Sequence, residues 1–108
     1  MTGSHIGFIG FGNMAQAMAE GMIRGGALKP DQIYACARDW DKLQDNARRY
    51  GIHGCKTAGE VAEKSDIVIV AVKPYLVEEA LTPVLEILKR KVVVSVAVNV
   101  PFEKYEQL

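Results

Sequence analysis

Gly10 and Gly12 stand one residue apart directly after an apolar run, and Ala15 follows three positions beyond Gly12, inside IGFIGFGNMAQAMAEGM over residues 6–22. The spacing is G-x-G-x-x-A. Each position has a physical role in holding a dinucleotide. Gly10 permits the tight turn out of a strand, Gly12 lets a pyrophosphate approach the backbone, and Ala15 is small enough for a helix to pack close on that strand. The free N–H groups and the dipole at the helix start then favour an anion. The plain alternative is a tight strand-to-helix turn that holds no ligand.

The kind of nucleotide is decided at the end of the second strand. Domains that prefer NAD carry Asp or Glu there to grip the ribose 2′-hydroxyl. This chain reads YACA and then Arg38. Ala37 has no group for the diol, whereas Arg38 can pair with a 2′-phosphate, a contact worth about 1.5–3 kcal/mol. That corresponds to roughly 10- to 150-fold. The expectation is NADP(H) preferred, with NAD(H) accepted. Asp39 works against it, since a carboxylate there repels a phosphate or accepts from a ribose hydroxyl. Arg38 has a second reading, a solvated loop charge paired with Asp39 or Asp41. Two later strand ends, AVKP at 71–74 and VAVN at 96–99, should face the same crevice, because ligands of open α/β sheets lie beyond the carboxyl ends of the strands. Lys73 either faces the cofactor or is a solvated loop lysine. The backbone of both loops is the expected contacting surface.

Strands and helices must alternate to position these groups, and the hydrophobic pattern supplies them. Residues 6–10 read as a first strand and 13–24 as a helix, with Met14, Met18 and Met22 as a core-packing stripe beside Ala15 and Ala19. Gly25 and Gly26 end that helix. A second strand is predicted over 33–37 and a second helix over 38–50, with Leu43, Ala47 and Tyr50 on one face. A short third strand fits 53–56. Thr57 caps a helix running to about 63, with Glu60 as capping-box partner. DIVIVAV from residue 66 is a continuous apolar run, the mark of a strand buried on both faces. Pro74 sits at a helix start. Pro83 interrupts the helical stretch 75–88, at about 3 kcal/mol for an interior position. Two helical pieces follow, with Thr82 capping the second. VVVSVAV at 92–98 is the fifth strand, and PFEKYEQL opens a last helix at 101–108. The rhythm is that of an α/β, doubly wound parallel sheet, a Rossmann-type fold.

Composition narrows the function classes. The 108 residues suffice for one domain, 49% are apolar and 24% charged, an ordinary globular balance. Thirteen basic and thirteen acidic side chains cancel, so nothing global favours nucleic acid or an anionic membrane. The longest apolar runs, 67–72 and 92–98, fall far short of the about 20 residues a bilayer needs. MTGSH carries no charged-then-apolar leader pattern, and a cytoplasmic protein is expected. Cys36 and Cys55 lack metal-like spacing and read as a reduced, buried pair rather than a disulfide. His5 and His53 are expected in solvent-facing or loop positions, and no metal site is expected.

IGFIGFGNMAQAMAEGM, DIVIVAVKPYLVEEAL and VVVSVAV together resemble the N-terminal domain of pyrroline-5-carboxylate reductases, along essentially the whole chain. GFIGxGNM followed at this distance by AVKP is far more specific than a glycine loop alone. The resemblance implies reduction of the small imine 1-pyrroline-5-carboxylate to proline with NAD(P)H, the last step of proline synthesis. It implies a cofactor lying along Ile9, Gly10, Phe11, Gly12, Asn13 and Met14. The adenosine end would reach Ala37 and Arg38, and the dinucleotide would run past Ala71, Val72, Lys73 and Pro74 and past Val96, Ala97 and Val98 toward the nicotinamide. Two departures stand out. The family's Ala-Ala-Gly is Ala97-Val98-Asn99 here, and Arg38-Asp39 replaces the small hydroxyl residues many members place at the 2′-phosphate. Such reductases carry a second, all-helical domain that dimerises and completes the substrate pocket. Residues 1–108 are therefore expected to be a NAD(P)-binding domain cut at its C-terminal end, its catalytic residues unassigned, inactive alone, and homo-oligomeric through the helical domain in its full-length parent. The competing readings are a nucleotide-sensing module without catalysis and the cofactor domain of a β-hydroxyacid-dehydrogenase-like reductase.

Overall fold

A computed structural model of the chain describes residues 4–73, 75 and 77–96. Its centre is a five-stranded parallel sheet in the order β3-β2-β1-β4-β5. The strands are β1 (Ile6–Ile9), β2 (Ile33–Cys36), β3 (His53–Gly54), β4 (Ile67–Val70) and β5 (Val92–Ser95). The helices are α1 (Asn13–Arg24), α2 (Trp40–Tyr50), α3 (Ala58–Lys64), α4 (Val77–Leu81) and α5 (Leu85–Leu88). Strand alternation sorts the side chains into two cores. Ile6, Phe8, Ile33, Ala35 and Ile69 face Ala15 and Ala19 of α1 and Leu43 and Ala47 of α2. Ile9, Cys36, Val68 and Val70 face Val61 and Ala62 of α3, Val77 and Leu81 of α4, and Leu88 of α5. This is the doubly wound α/β fold the alternating pattern predicts. The chain steps outward from β1 through β2 to β3, then returns to the other side of β1 as β4. The winding therefore reverses between β1 and β4, the topological switch point of the sheet.

Several boundaries differ from the sequence reading, each for a local reason. β1 ends at Ile9 because Gly10 turns to φ +96°. β2 ends at Cys36, and α2 starts at Trp40 rather than Arg38, because the Asp39 carboxylate accepts from the Lys42 N–H at 3.1 Å and caps the helix. Gly51 closes α2 in the left-handed conformation, φ +75°. β3 keeps only two residues. Thr57 caps α3 as predicted, its hydroxyl accepting from the Glu60 N–H at 3.1 Å. Thr82 does not cap. Its hydroxyl donates back to the Glu78 carbonyl at 2.6 Å, and Thr82–Val84 form a 3-10 turn holding Pro83 between α4 and α5.

The methionine stripe is corrected too. Met14 is 52% exposed, and only Met18 and Met22 rest half-buried against the core, while Ala15 and Ala19 are the buried residues of α1. Cys36 and Cys55 are buried and unbridged. His53 lies in β3, exposed as expected, with Nε2 3.0 Å from the Asp31 carbonyl oxygen. It and His5 flank the Tyr34 ring at centroid distances of 4.8 and 5.6 Å. Pro74 and the segment expected to form the last helix, 101–108, lie outside the described residues.

Candidate functional site

The backbone between β1 and α1 crosses the switch point and forms one wall of a cavity of about 670 Å³. Two ladder bonds hold its root. The Gly10 N–H donates to the Cys36 carbonyl and the Ala71 N–H to the Ile9 carbonyl, both at 2.9 Å, so the loops after β1, β2 and β4 leave the sheet together. Gly10 has two reasons to be glycine. Its φ is positive, and a Cβ there would stand 2.9 Å from the Ala71 carbonyl group. Phe11 is buried, its ring edge-on to Phe8 and Tyr50. Its carbonyl accepts from Gln16 Nε2 at 3.2 Å, which pins the loop to α1.

Gly12 is the N-cap of α1, and no side chain caps the helix. The first turn holds no acidic residue, and a Cβ on Gly12 would meet nothing within 4 Å. Uncapped N–H groups at the start of a twelve-residue helix, facing open space across a glycine, form a ready site for an anion. A pyrophosphate fits what these residues leave open. Ala15, 1% exposed, lets α1 approach the sheet beneath it.

Of the residues anticipated for the cofactor, Ile9, Gly10, Phe11, Gly12, Asn13, Ala37, Arg38, Ala71, Val72 and Lys73 line the cavity. Met14, the second residue of α1, is largely exposed and is not among the residues lining the cavity. Val96 packs against the α1–α2 side of the core, its N–H donating to the Val70 carbonyl at 2.9 Å, and does not line the cavity. Pro74, Ala97 and Val98 lie outside the described residues. Asp39, weighed from the sequence beside Arg38, also lines the cavity, together with groups that sequence spacing did not single out: Gln16, Lys42, Asn46, Lys56 and Tyr75. Tyr75, 75% exposed, stands at the rim. The helical period of α2 places Asn46 one turn beyond Lys42, a signal available in the sequence. Nothing local reveals Lys56, which arrives from β3. Among the described residues no group of His, Cys, Asp and Glu is arranged to hold a metal ion, and no helix is long and apolar enough to cross a membrane.

A glycine loop leading into an uncapped helix, at the switch point of a doubly wound sheet, defines a dinucleotide-binding domain of the Rossmann class. Within that class, the family model described as NADP oxidoreductase coenzyme F420-dependent matches residues 5–99, and the chain belongs to that family of pyridine-nucleotide oxidoreductases. It is 36% identical to the pyrroline-5-carboxylate reductase of Treponema pallidum (strain Nichols) over 104 residues, 96% of this chain and 39% of that protein. Identity to the pyrroline-5-carboxylate reductase of Escherichia coli (strain K12) is 37% over 100 residues, 92% of this chain and 37% of that one. The structure of a pyrroline-5-carboxylate reductase from Coxiella burnetii superposes with a TM-score of 0.87 at 33% identity, covering 96% of this chain and 39% of that one. The chain thus spans about two fifths of the length of the curated relatives it matches.

Proposed function

We propose that residues 1–108 are the cofactor-binding domain of a pyrroline-5-carboxylate reductase, a cytoplasmic enzyme that reduces the cyclic imine 1-pyrroline-5-carboxylate to proline with NADPH. The observation that carries the reading is the cavity at the switch point, walled by the Gly10–Gly12 backbone and the uncapped start of α1. In this reading the N–H groups of the first turn of α1 hold the pyrophosphate, and Gly12 leaves it room. The loops after β2 and β4 flank the two ends of the cofactor. Arg38, exposed at the cavity edge, pairs with the 2′-phosphate and sets the preference for NADPH over NADH. Met14, Pro74, Val96, Ala97 and Val98 are left out of this assignment.

The nicotinamide ring supplies a hydride when bound. Reduction also demands an imine held close above it, an anchor for the substrate carboxylate and a protonated imine nitrogen. We assign none of those roles to the described residues. The relatives continue well beyond the matched segment, and a further helical domain that also joins subunits is the proposed source of the substrate pocket.

The test is a titration of the chain with NADPH and with NADH, followed by nucleotide fluorescence. NADPH should bind without substrate. Arg38→Ala should weaken NADPH about tenfold or more and leave NADH nearly unchanged. No binding of either cofactor at millimolar concentration overturns the reading of the cavity, and equal losses for both overturn the role of Arg38.

A further inference from the structure

β2 and β3 leave the sheet side by side. Their register pairs Tyr34 with His53 and Ala35 with Gly54, and the Cys55 N–H extends it by donating to the Ala35 carbonyl at 2.7 Å. Beyond this pairing, Ala37 and Lys56 both line the cavity. The Lys56 ammonium sits 5.5 Å from the centre of the Trp40 ring, at the first residue of α2. One end of the cavity is therefore bordered by three cations from three directions: Arg38 from the loop after β2, Lys42 from the first turn of α2, and Lys56 from the loop after β3. The ion pairs among the described residues are Arg24–Glu20, Arg48–Asp45, Lys64–Glu60 and Lys89–Glu86, and none engages these three cations. Asp39, the acidic residue in the lining, turns its Oδ1 to the Lys42 N–H, and its charge is directed to the start of α2.

An indole face holds an ammonium in place without neutralising it. A carboxylate partner would do the opposite. Lys56 is therefore positioned yet keeps its charge and its donors for an anion in the cavity.

We propose that Lys56, seated on Trp40, is a specificity-determining residue for the 2′-phosphate of the nucleotide, closing from the β3 side a subsite that Arg38 bounds from the β2 side. The inference rests on reading the cavity as a dinucleotide site. It adds a determinant from the loop after β3, apart from the end of β2 where NADP preference is usually sought. NADH gains nothing from the cluster, because it carries only a hydroxyl there.

The experiment measures binding of NADPH, NADH, 2′,5′-ADP and 5′-AMP to the chain and to Lys56→Gln, Lys56→Arg and Trp40→Leu, at low and high salt. Lys56→Gln should weaken NADPH and 2′,5′-ADP about fivefold to tenfold, less than a buried pair would because the group is solvent-screened. NADH and 5′-AMP should stay within about twofold, which the same screening argument requires. Lys56→Arg should restore most of the loss, and Lys56→Gln should flatten the salt dependence of 2′,5′-ADP binding. Trp40→Leu, which removes the seat and keeps the charge, should give a smaller loss of the same selectivity. Should it fail to fold, Lys56→Gln carries the test alone, with its thermal midpoint as the folding control. Equal losses for phosphorylated and unphosphorylated ligands, or no loss, overturn the proposal while leaving the dinucleotide site intact. A wild-type chain that binds neither NADH nor NADPH overturns the site reading itself.

Discussion

Gly10 and Gly12 look interchangeable as letters and do different things. Gly10 is required by the fold, through its positive φ and the Ala71 backbone beside it. Gly12 has extended backbone and empty space above it, so the fold does not require it. Gly12→Val should therefore leave the thermal midpoint close to wild type and abolish nucleotide binding, because the branched side chain fills the pyrophosphate's place. Gly10→Ala should unfold at lower denaturant. Calorimetry and a NADPH titration on the same two variants check the contrast.

The two thiols offer a prediction in pH. Burial pushes the Cys55 thiol up to about 12, helped by the charge and hydrogen bond of Glu60 and opposed by Lys64. Burial also raises Cys36, with a backbone hydrogen bond from Gly10 acting the other way. Both stay protonated in the folded chain at pH values where the unfolded chain ionises them, from about 8.5. The unfolded state then holds fewer protons, so stability is whole below that pH and declines as pH rises toward 12. Urea melts between about pH 9 and 11 should show a decline of up to about 1.4 kcal/mol per pH unit from Cys55 alone. Cys55→Ala should lessen that slope, whatever it does to the midpoint.

At the scale of elements, the close contact between α3 and β1 has a single small residue at its centre. A Cβ on Gly7 would collide with the Ser65 hydroxyl and the Val61 side chain, and would lie 3.0 Å from Ser65 Cβ. Gly7→Ala should therefore destabilise by about 1–3 kcal/mol, the usual range for overpacking, in a urea titration. An unchanged midpoint would mean α3 shifts freely on the sheet. The helices themselves were legible from their period: Leu43 and Ala47 of α2 are buried and Tyr50 is half-buried against the core, where the pattern puts them. Their starts were less so. Asp39 reads from the sequence as a charge facing the nucleotide, and only the position of the Lys42 N–H shows it to be the cap of α2. Pro83 correctly divides the stretch after β4. Thr82 goes the other way because its hydroxyl finds the Glu78 carbonyl before a new helix has begun.

For the whole molecule, the cavity lies beyond the carboxyl ends of the strands, lined by the loops after β1, β2 and β4 and open to solvent. Orientation and exclusion of water can supply about 7–11 kcal/mol of a barrier, and a site open to solvent forfeits most of that. The chain should bind NADPH yet fail to oxidise it in the presence of saturating 1-pyrroline-5-carboxylate. The decrease of NADPH absorbance with purified chain measures this. Turnover within about tenfold of a common enzyme, near 10 per second, would contradict it and make Lys73 the first residue to replace.

What the amino-acid sequence alone determined is local in origin. The strand runs, the helical faces, the turn at Gly10 and the glycine-to-helix spacing follow from side-chain period and backbone freedom over a few neighbouring residues. They suffice for the fold class and for most of the cavity's floor, Ile9 to Asn13 and Ala71 to Lys73. Which distant residues share a wall is another matter. Lys56 shares the cavity lining with Ala37 because β3 pairs in parallel with β2, and Lys42 and Asn46 join them from α2. Strand order, and hence every pairing between loops, is set by how two sheet faces bury their apolar side chains together, which no short stretch of sequence contains.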